Sequence, residues 1–297
     1  MTRDEFYQEV RDSAFYGRRF EKIYHRYGTY QDKAIEALME FHRVCEMHDI
    51  HYQLAYGSLL GAIRDSGQIP WDGDIDVYVP YTEKRKLIEA LNADLSKGFC
   101  FKSADTEKAY RHFKLMVGLD GYNIDHLHVD VFFLVDVSGD VGDQEWLREK
   151  MRELIRLRKK KLTGQLDIPW NVLLPHIRIL INKNRLKNVS VASIDKEMDQ
   201  ACCRFEGSDF CMPLIDENRK LVFEKKFIWD TQLINLNGGV LRICRNYEDV
   251  LNQKYSDYKK IYPLENRIHE LKRNYYLTRY NFILRTLKKR LKGLYYL

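Results

Sequence analysis

Read for its apolar positions, the chain changes period several times. Between residues 30 and 49, Ala34, Leu38, Phe41 and Cys45 recur three or four residues apart, which predicts one buried face of a helix. The period then drops to two. Ile50, Tyr52 and Leu54 alternate with polar residues, so a short strand is expected, ending at Gly57-Ser58. The run IDVYVP (75–80) reads as a second strand. TEKRKLIEALNADLSK (82–97) returns to helical spacing, with Leu87, Ile88, Leu91 and Leu95 on one face and Thr82 able to cap. FKLMVGL (113–119) and HVDVFFLVDV (128–137) read as strands, the second rich enough in Val and Phe to lie centrally in a sheet.

The second half is patterned differently. Residues 144–204 are helical in period and basic, and include the amphipathic stretch WNVLLPHIRILINKNR. Short strands follow at LVFEKKFIW, QLINLN and VLRI, then a helix at YEDVLNQKYSDY. No repeat, low-complexity run or linker interrupts the chain. The fold class expected is α+β: a small mixed sheet flanked by helices, with an added helical layer. One domain would span 1–270, with a helical insertion at about 144–205. A basic amphipathic helix at 271–297 would follow, a segment without a single acidic residue.

Composition adds limits. With 297 residues the chain can bury a full core. Its 20 tyrosines are an excess that favours polar or interfacial positions. No run of about 18 apolar residues occurs and the N-terminal segment is charged throughout, so neither a membrane span nor a signal peptide is predicted and the expected location is cytoplasmic. The six cysteines lack paired metal spacing and read as reduced thiols. A net charge of +6 suits an anionic partner without choosing one. In the tail, Tyr280, Leu284, Leu287, Leu291 and Leu294 form one stripe among Arg279, Arg285, Lys288, Lys289, Arg290 and Lys292, a pattern suited to peripheral attachment on an anionic membrane surface.

The chemistry concentrates in YGSLLGAIRDSGQIPWDGDIDVYVP (56–80). Asp74 and Asp76, two apart in a strand, point to one face while Ile75 and Val77 point to the other. Two aligned carboxylates make a hard oxygen site suited to Mg2+ or Mn2+ shared with substrate phosphates. Asp72, Asp74, Asp76 and Glu83 also stand at calcium-loop positions, but Val77 occupies the place where that loop needs glycine. Asp130, between Val129 and Val131, repeats the strand context of Asp76 and supplies a third carboxylate, as ion ligand or as base.

A Gly-Ser turn, an acidic-apolar-acidic-apolar run and an Asp on a later strand resemble the nucleotidyltransferase superfold, and the fuller string YGSLLGAIRDSGQIPWDGDID is similar to the LicD family, which includes relatives of fukutin. The likeness starts near Ala37, reappears at HVDVFFL, and closes at YEDVLNQKYSDYKKIYPLENRIH. The chain departs from the pattern at Gly73, where the family usually has a third acid, at Ser256 in place of Gly, and at Arg245-Asn246. The resemblance implies a magnesium-dependent enzyme that moves a phospho-alcohol, phosphocholine first among them, from a CDP-alcohol donor such as CDP-choline to a hydroxyl of a carbohydrate or lipid-linked glycan, releasing CMP.

In that chemistry catalysis is mostly placement and electrostatics. Gly57 and Ser58 could hold phosphate oxygens, and Arg64 and Lys114 could neutralise the departing nucleotide. Asp72 would support the acidic pair, and His128 could orient Asp130. Trp71 and Tyr56 could stack on a base or enclose a quaternary ammonium, or anchor the loop. Two other readings stay open: transfer of a nucleoside monophosphate from a triphosphate, and a non-catalytic basic membrane- or nucleic-acid-binding module. The intact carboxylates speak against the module, and no nucleic acid partner is expected.

Overall fold

The computed structural model describes residues 1–13, 15–103, 113–119, 122–163, 189–214, 221–255 and 257–276. Helix α1 (Arg3–Asp12) begins with a capping box, in which Thr2 and Glu5 each satisfy the other's backbone N–H. Helix α2 (Gly17–Met47) begins well before residue 30, because Phe20, Tyr24 and Tyr27 carry the apolar stripe of Ala34, Ala37, Leu38, Phe41 and Val44 back by further turns. Tyr24 and Tyr27 are fully buried, as are Tyr52 and Tyr78, so part of the tyrosine excess serves the core rather than the surface. The hydroxyls are satisfied there: Tyr27 donates to the Asp72 carbonyl at 2.7 Å and Tyr24 accepts from Arg11 Nε at 2.9 Å.

The sheet is mixed, as expected. Strands β1 (Gln53–Leu54), β2 (Ile75–Pro80), β3 (Phe99–Lys102), β4 (Phe113–Leu119) and β5 (Tyr122–Val137) lie in the order β1-β2-β5-β4-β3. Only β2 and β5 in this series are parallel. The far end of β5 pairs with β6 (Phe210–Pro213), and β6 with β7 (Phe223–Glu224). A separate hairpin, β8 (Thr231–Leu236) and β9 (Gly239–Cys244), turns at Asn237-Gly238 with φ of +49° and +82°, the signs a type I′ turn needs.

Helices α3 (Tyr56–Arg64) and α4 (Lys84–Asp94) pack against this sheet. The basic half supplies α5 (Val141–Thr163) and α6 (Val191–Cys202), which form a second core with the end of β5 around Val135, Val137, Leu147 and Met151. The short α7 (Lys225–Ile228), α8 (Tyr247–Lys254) and a helix at 264–276, called α9, complete the fold. Leu271 and Tyr275 of α9 are buried in the main core. The stretch 170–185 and the tail stripe from Tyr280 onward lie outside the described residues.

Three local expectations change. Gly57-Ser58 stands in the first turn of α3, not at a strand end: Tyr56 takes φ +42° and the Ala55 carbonyl accepts the N–H groups of Ser58 and Leu59, so the chain turns directly into a helix. Thr82 does not cap α4. A 3-10 turn at Tyr81–Glu83 intervenes, and Glu83 holds His51 through its backbone N–H at 2.8 Å. The stretch 221–229 is a strand only at Phe223–Glu224, after which Lys225 turns into α7 and pairs with Asp136 at 2.7 Å.

Gly61 fixes how closely α3 approaches the loop behind it, since a Cβ there would lie 2.5 Å from the Gly67 carbonyl oxygen. All six cysteines are free. Among the described residues, no helix is long and apolar enough to cross a membrane.

Candidate active site

The site is built on the parallel pair at the middle of the sheet. Asp76 stands opposite Asp130 in register, and Lys114 on β4 stands opposite Asp130 from the other side. Along β2 and β5 the alternate positions Ile75, Val77, Val79, Val129, Val131 and Phe133 are buried. Each contributes on the order of 1.5–3 kcal/mol by leaving water. Their sum exceeds the roughly 4 kcal/mol by which two charges 4 Å apart repel at an effective dielectric constant of 20. Core packing therefore sets the register and holds two carboxylates side by side.

Asp74 lies one residue before β2, outside the strand. One carboxylate oxygen each from Asp74 and Asp130 and one ring nitrogen of His128 lie within 4.8 Å of one another. The expected set was Asp74, Asp76 and Asp130. The mutual cluster contains His128 in place of Asp76, whose carboxylate is nevertheless near enough to feel both neighbours. Burial, then the charges of Asp74, Asp130 and Asp72, push the Asp76 carboxyl well up, with Lys254 opposing. Burial and Asp74 likewise raise Asp72 to about 7, against the Gly73 N–H that donates to its Oδ1 at 2.9 Å.

Asp130 behaves in the opposite way. Burial pushes its carboxyl up, but His128 and Lys114 more than offset this and hold it at about 2. Lys114 Nζ lies 2.7 Å from His128 Nε2 and 3.1 Å from Asp130 Oδ1, and His128 Nε2 lies 3.0 Å from Asp130 Oδ2. A single Nε2 cannot accept from Lys114 and donate to Asp130 at once, so one of its two contacts is always unfavourable. His128 is 3% exposed and its Nδ1 has no hydrogen-bond partner, while Asp130 Oδ1 has the Lys114 ammonium as its ion-pair partner.

As a cation site this donor set fits a hard divalent ion. It offers two carboxylates and an imidazole within one ion's reach, a third carboxylate in register, a buried imidazole nitrogen without a partner, and a mutual repulsion that an ion of charge +2 would relieve.

Other elements brace this cluster. The Asp76 N–H donates to Ser58 Oγ at 2.8 Å, so the buried Ser58 hydroxyl ties the start of α3 to the carboxylate strand. Gly57 passes against Asp72, where a Cβ would lie 2.5 Å from Oδ2 and displace that carboxylate. Tyr27 and Gln31 of α2 both donate to the Asp72 carbonyl, and Asn274 of α9 donates to that of Trp71. The acidic loop is thus held from both ends of the sequence. The positive φ of Tyr56 is a strained conformation, of order 1–3 kcal/mol, of the kind that persists where surrounding packing imposes it. Here the Tyr78 and Phe132 rings, 5.1 and 4.9 Å away, supply that packing.

Two sequence candidates are engaged elsewhere. The Arg64 guanidinium pairs with buried Asp65 at 2.7 Å and reaches the Lys260 carbonyl, so it is committed to the far end of α3. Trp71 is buried between Arg64, 5.8 Å from its ring centroid, and Arg267, 5.3 Å away, with Phe6 against it. It anchors the loop and offers no open face to a base.

The residue missed by sequence reasoning is Lys254, at the end of α8. Its Nζ lies 4.2 Å from the Tyr56 ring centroid, and its charge acts on Asp76. The closing motif that contains it was visible in the sequence. Its place beside Asp76, 178 positions earlier in the chain, was not.

Residues 49–170, which contain every carboxylate of this cluster, match the family model described as LicD/FKTN/FKRP, nucleotidyltransferase domain. Over 253 residues, covering 80% of this chain and 93% of the relative, the sequence is 24% identical to the lipopolysaccharide cholinephosphotransferase LicD of Haemophilus influenzae. The match to this relative is longer than the domain that the family model covers, and that domain, residues 49–170, is similar to the LicD family and carries the site just described.

Proposed function

We propose that this protein is a LicD-type transferase that moves phosphocholine from CDP-choline to a sugar hydroxyl of a surface glycan and releases CMP. The observation that carries this reading is the convergence of Asp74, Asp130 and His128 within 4.8 Å, with Asp76 in register beside them. The cholinephosphotransferase named among its relatives supports the choice of alcohol. Asp74, Asp76 and Asp130, with His128 beside them, would hold Mg2+ or Mn2+, which when bound would neutralise charge on the diphosphate.

The acceptor oxygen bonds to the phosphorus of the phospho-alcohol, the bond to the bridging oxygen breaks, and CMP leaves with that oxygen. Lys254 and Lys114 stabilise the negative charge that builds up during transfer. Lys254 takes the role that Arg64 held in the sequence reading. Asp130, kept ionised by Lys114 and His128, acts as an ion ligand, and the hydroxyl proton passes to the carboxylate cluster. Ser58 positions Asp76 through its backbone.

A donor screen tests the reading. CDP-choline, CDP-ethanolamine, CDP-glycerol, CDP-ribitol and nucleoside triphosphates are offered with Mg2+ and a glycan acceptor. CMP release with CDP-choline alone or most rapidly is the expected result. Pyrophosphate release from a triphosphate would replace phospho-alcohol transfer with nucleotidyl transfer.

The same reading places the protein on the cytoplasmic face of a membrane, where a lipid-linked acceptor is presented. The basic apolar stripe of the 275–297 segment motivates this, since each Lys or Arg near an anionic leaflet contributes about 1 kcal/mol. Sedimentation with anionic liposomes is expected for the full chain and is lost on deleting 275–297 or at high salt. Equal sedimentation of full-length and truncated protein would remove the tail from the account.

A further inference from the structure

His128 holds, on β5, the place that Asp74 holds ahead of β2. The two strands run side by side from Ile75 and Val129 onward, with Asp76 beside Asp130. Carried back one residue, the same pairing brings Asp74 to His128, and ligand atoms of Asp74, His128 and Asp130 lie within 4.8 Å of one another. Alternation along β5 puts His128 on the face of Asp130, opposite to buried Val129 and Val131. Of the four side chains in this quartet, three offer oxygen and His128 offers nitrogen.

The protein alone serves this imidazole badly. Nε2 has Lys114 Nζ at 2.7 Å and Asp130 Oδ2 at 3.0 Å, and no placement of a proton makes both contacts favourable. Nδ1 is buried without a hydrogen-bond partner, so it gives the ring no structural task. A role limited to orienting Asp130 would need Nε2 to donate to the carboxylate, which sets its N–H against the Lys114 ammonium.

A divalent ion shared by the imidazole and the carboxylate removes the conflict. Two ligand atoms, each about 2.1 Å from an octahedral ion and at right angles to each other, stand about 3.0 Å apart. That is the separation of Nε2 from Asp130 Oδ2. Lys114 keeps Asp130 Oδ1, at 3.1 Å, as its own partner. The nitrogen also chooses among ions. Mg2+ is held through oxygen and water, whereas the first-row transition ions also take imidazole, and Mn2+ is the one of these that best suits carboxylates.

We infer that His128 is a nitrogen ligand of the active-site ion and that it makes the site select Mn2+ over Mg2+. The inference rests on the metal-dependent transferase reading for the ion's purpose, but its test is ion binding and needs no turnover. The intact protein, freed of metal by chelation, is titrated with Mg2+ and with Mn2+ by calorimetry. Its Mn2+ form is then studied by electron spin-echo envelope modulation, which detects nitrogen bound to the ion. Both measurements are repeated on His128→Gln and His128→Asn, which offer an amide oxygen in place of either ring nitrogen, with thermal unfolding as the folding control.

Imidazole modulation in the parent, absent from both variants, is the expected result, and the preference for Mn2+ over Mg2+ should fall about tenfold in the variants. A parent spectrum without imidazole modulation overturns the proposal on its own, so the test survives a variant that fails to fold. Modulation that persists in a folded variant assigns the nitrogen to another residue and overturns it too, as does an unchanged ion preference. A nitrogen-ligated ion in a protein that releases CMP from no CDP-alcohol would uphold the ligand and sink the transferase reading. CMP release that depends on an ion bound without nitrogen would do the reverse.

Discussion

Asp76→Asn is expected to lower turnover by about a thousandfold while leaving the metal-free protein as stable as the parent or more so. The loss corresponds to about 4 kcal/mol of transition-state stabilisation, a reasonable cost for removing one carboxylate from an ion that organises a phosphoryl transfer. The stability half follows from the fold. Asp76 is surrounded by the charges of Asp74, Asp130 and Asp72, and burial adds to the cost of ionising it. The amide keeps the shape and removes the charge, and the backbone N–H that donates to Ser58 Oγ is untouched.

Thermal unfolding with and without Mg2+, beside a CMP-release assay, separates the two effects. The parent should gain stability on adding the ion and the variant much less. A variant that kept a tenth of parental turnover, or that melted several degrees lower without metal, would show that Asp76 serves packing rather than the ion.

Lys254→Met should reduce kcat/KM for the CDP-alcohol by about a hundredfold, or about 2.7 kcal/mol, with Lys254→Arg losing much less. Met preserves most of the aliphatic length that lies along Tyr56 and removes only the charge beside Asp76. The kinetic split shows what the charge does. A fall mainly in kcat places Lys254 on charge that develops during transfer, and a rise mainly in KM places it on the ground-state diphosphate. Unchanged kinetics in Lys254→Met would leave Lys114 as the cation of the site. In contrast, Arg64→Met should act through stability, because its partner is the fully buried Asp65.

The carboxylates were legible in the sequence because alternation in a strand is a local property. Ile75, Val77, Val129 and Val131 face the core, so Asp76 and Asp130 must face away from it, whatever the rest of the chain does. The same logic identified the Lys114 strand and the mixed character of the sheet. It failed at the strand end expected at Gly57-Ser58, where a left-handed Tyr56 starts a helix directly and the Ser58 hydroxyl accepts the Asp76 N–H. Residue type alone left Trp71 open between base stacking and loop anchoring, and offered Arg64 for phosphate. Their actual contacts come from α1, α9 and the loop before it.

What the sequence by itself determined was the set of residues whose placement depends on neighbours one to four positions away: the paired carboxylates, the apolar faces of the helices, and the family likeness carried by a contiguous motif. Tertiary structure alone decided which of them meet. The parallel pairing of β2 with β5 set Asp76 beside Asp130, β4 delivered Lys114 to both Asp130 and His128, and α8 returned Lys254 to the rim of Asp76. The reason is physical: hydrophobic periodicity specifies a face but not a partner, and a cation is assigned its anion only when packing has fixed which elements are neighbours.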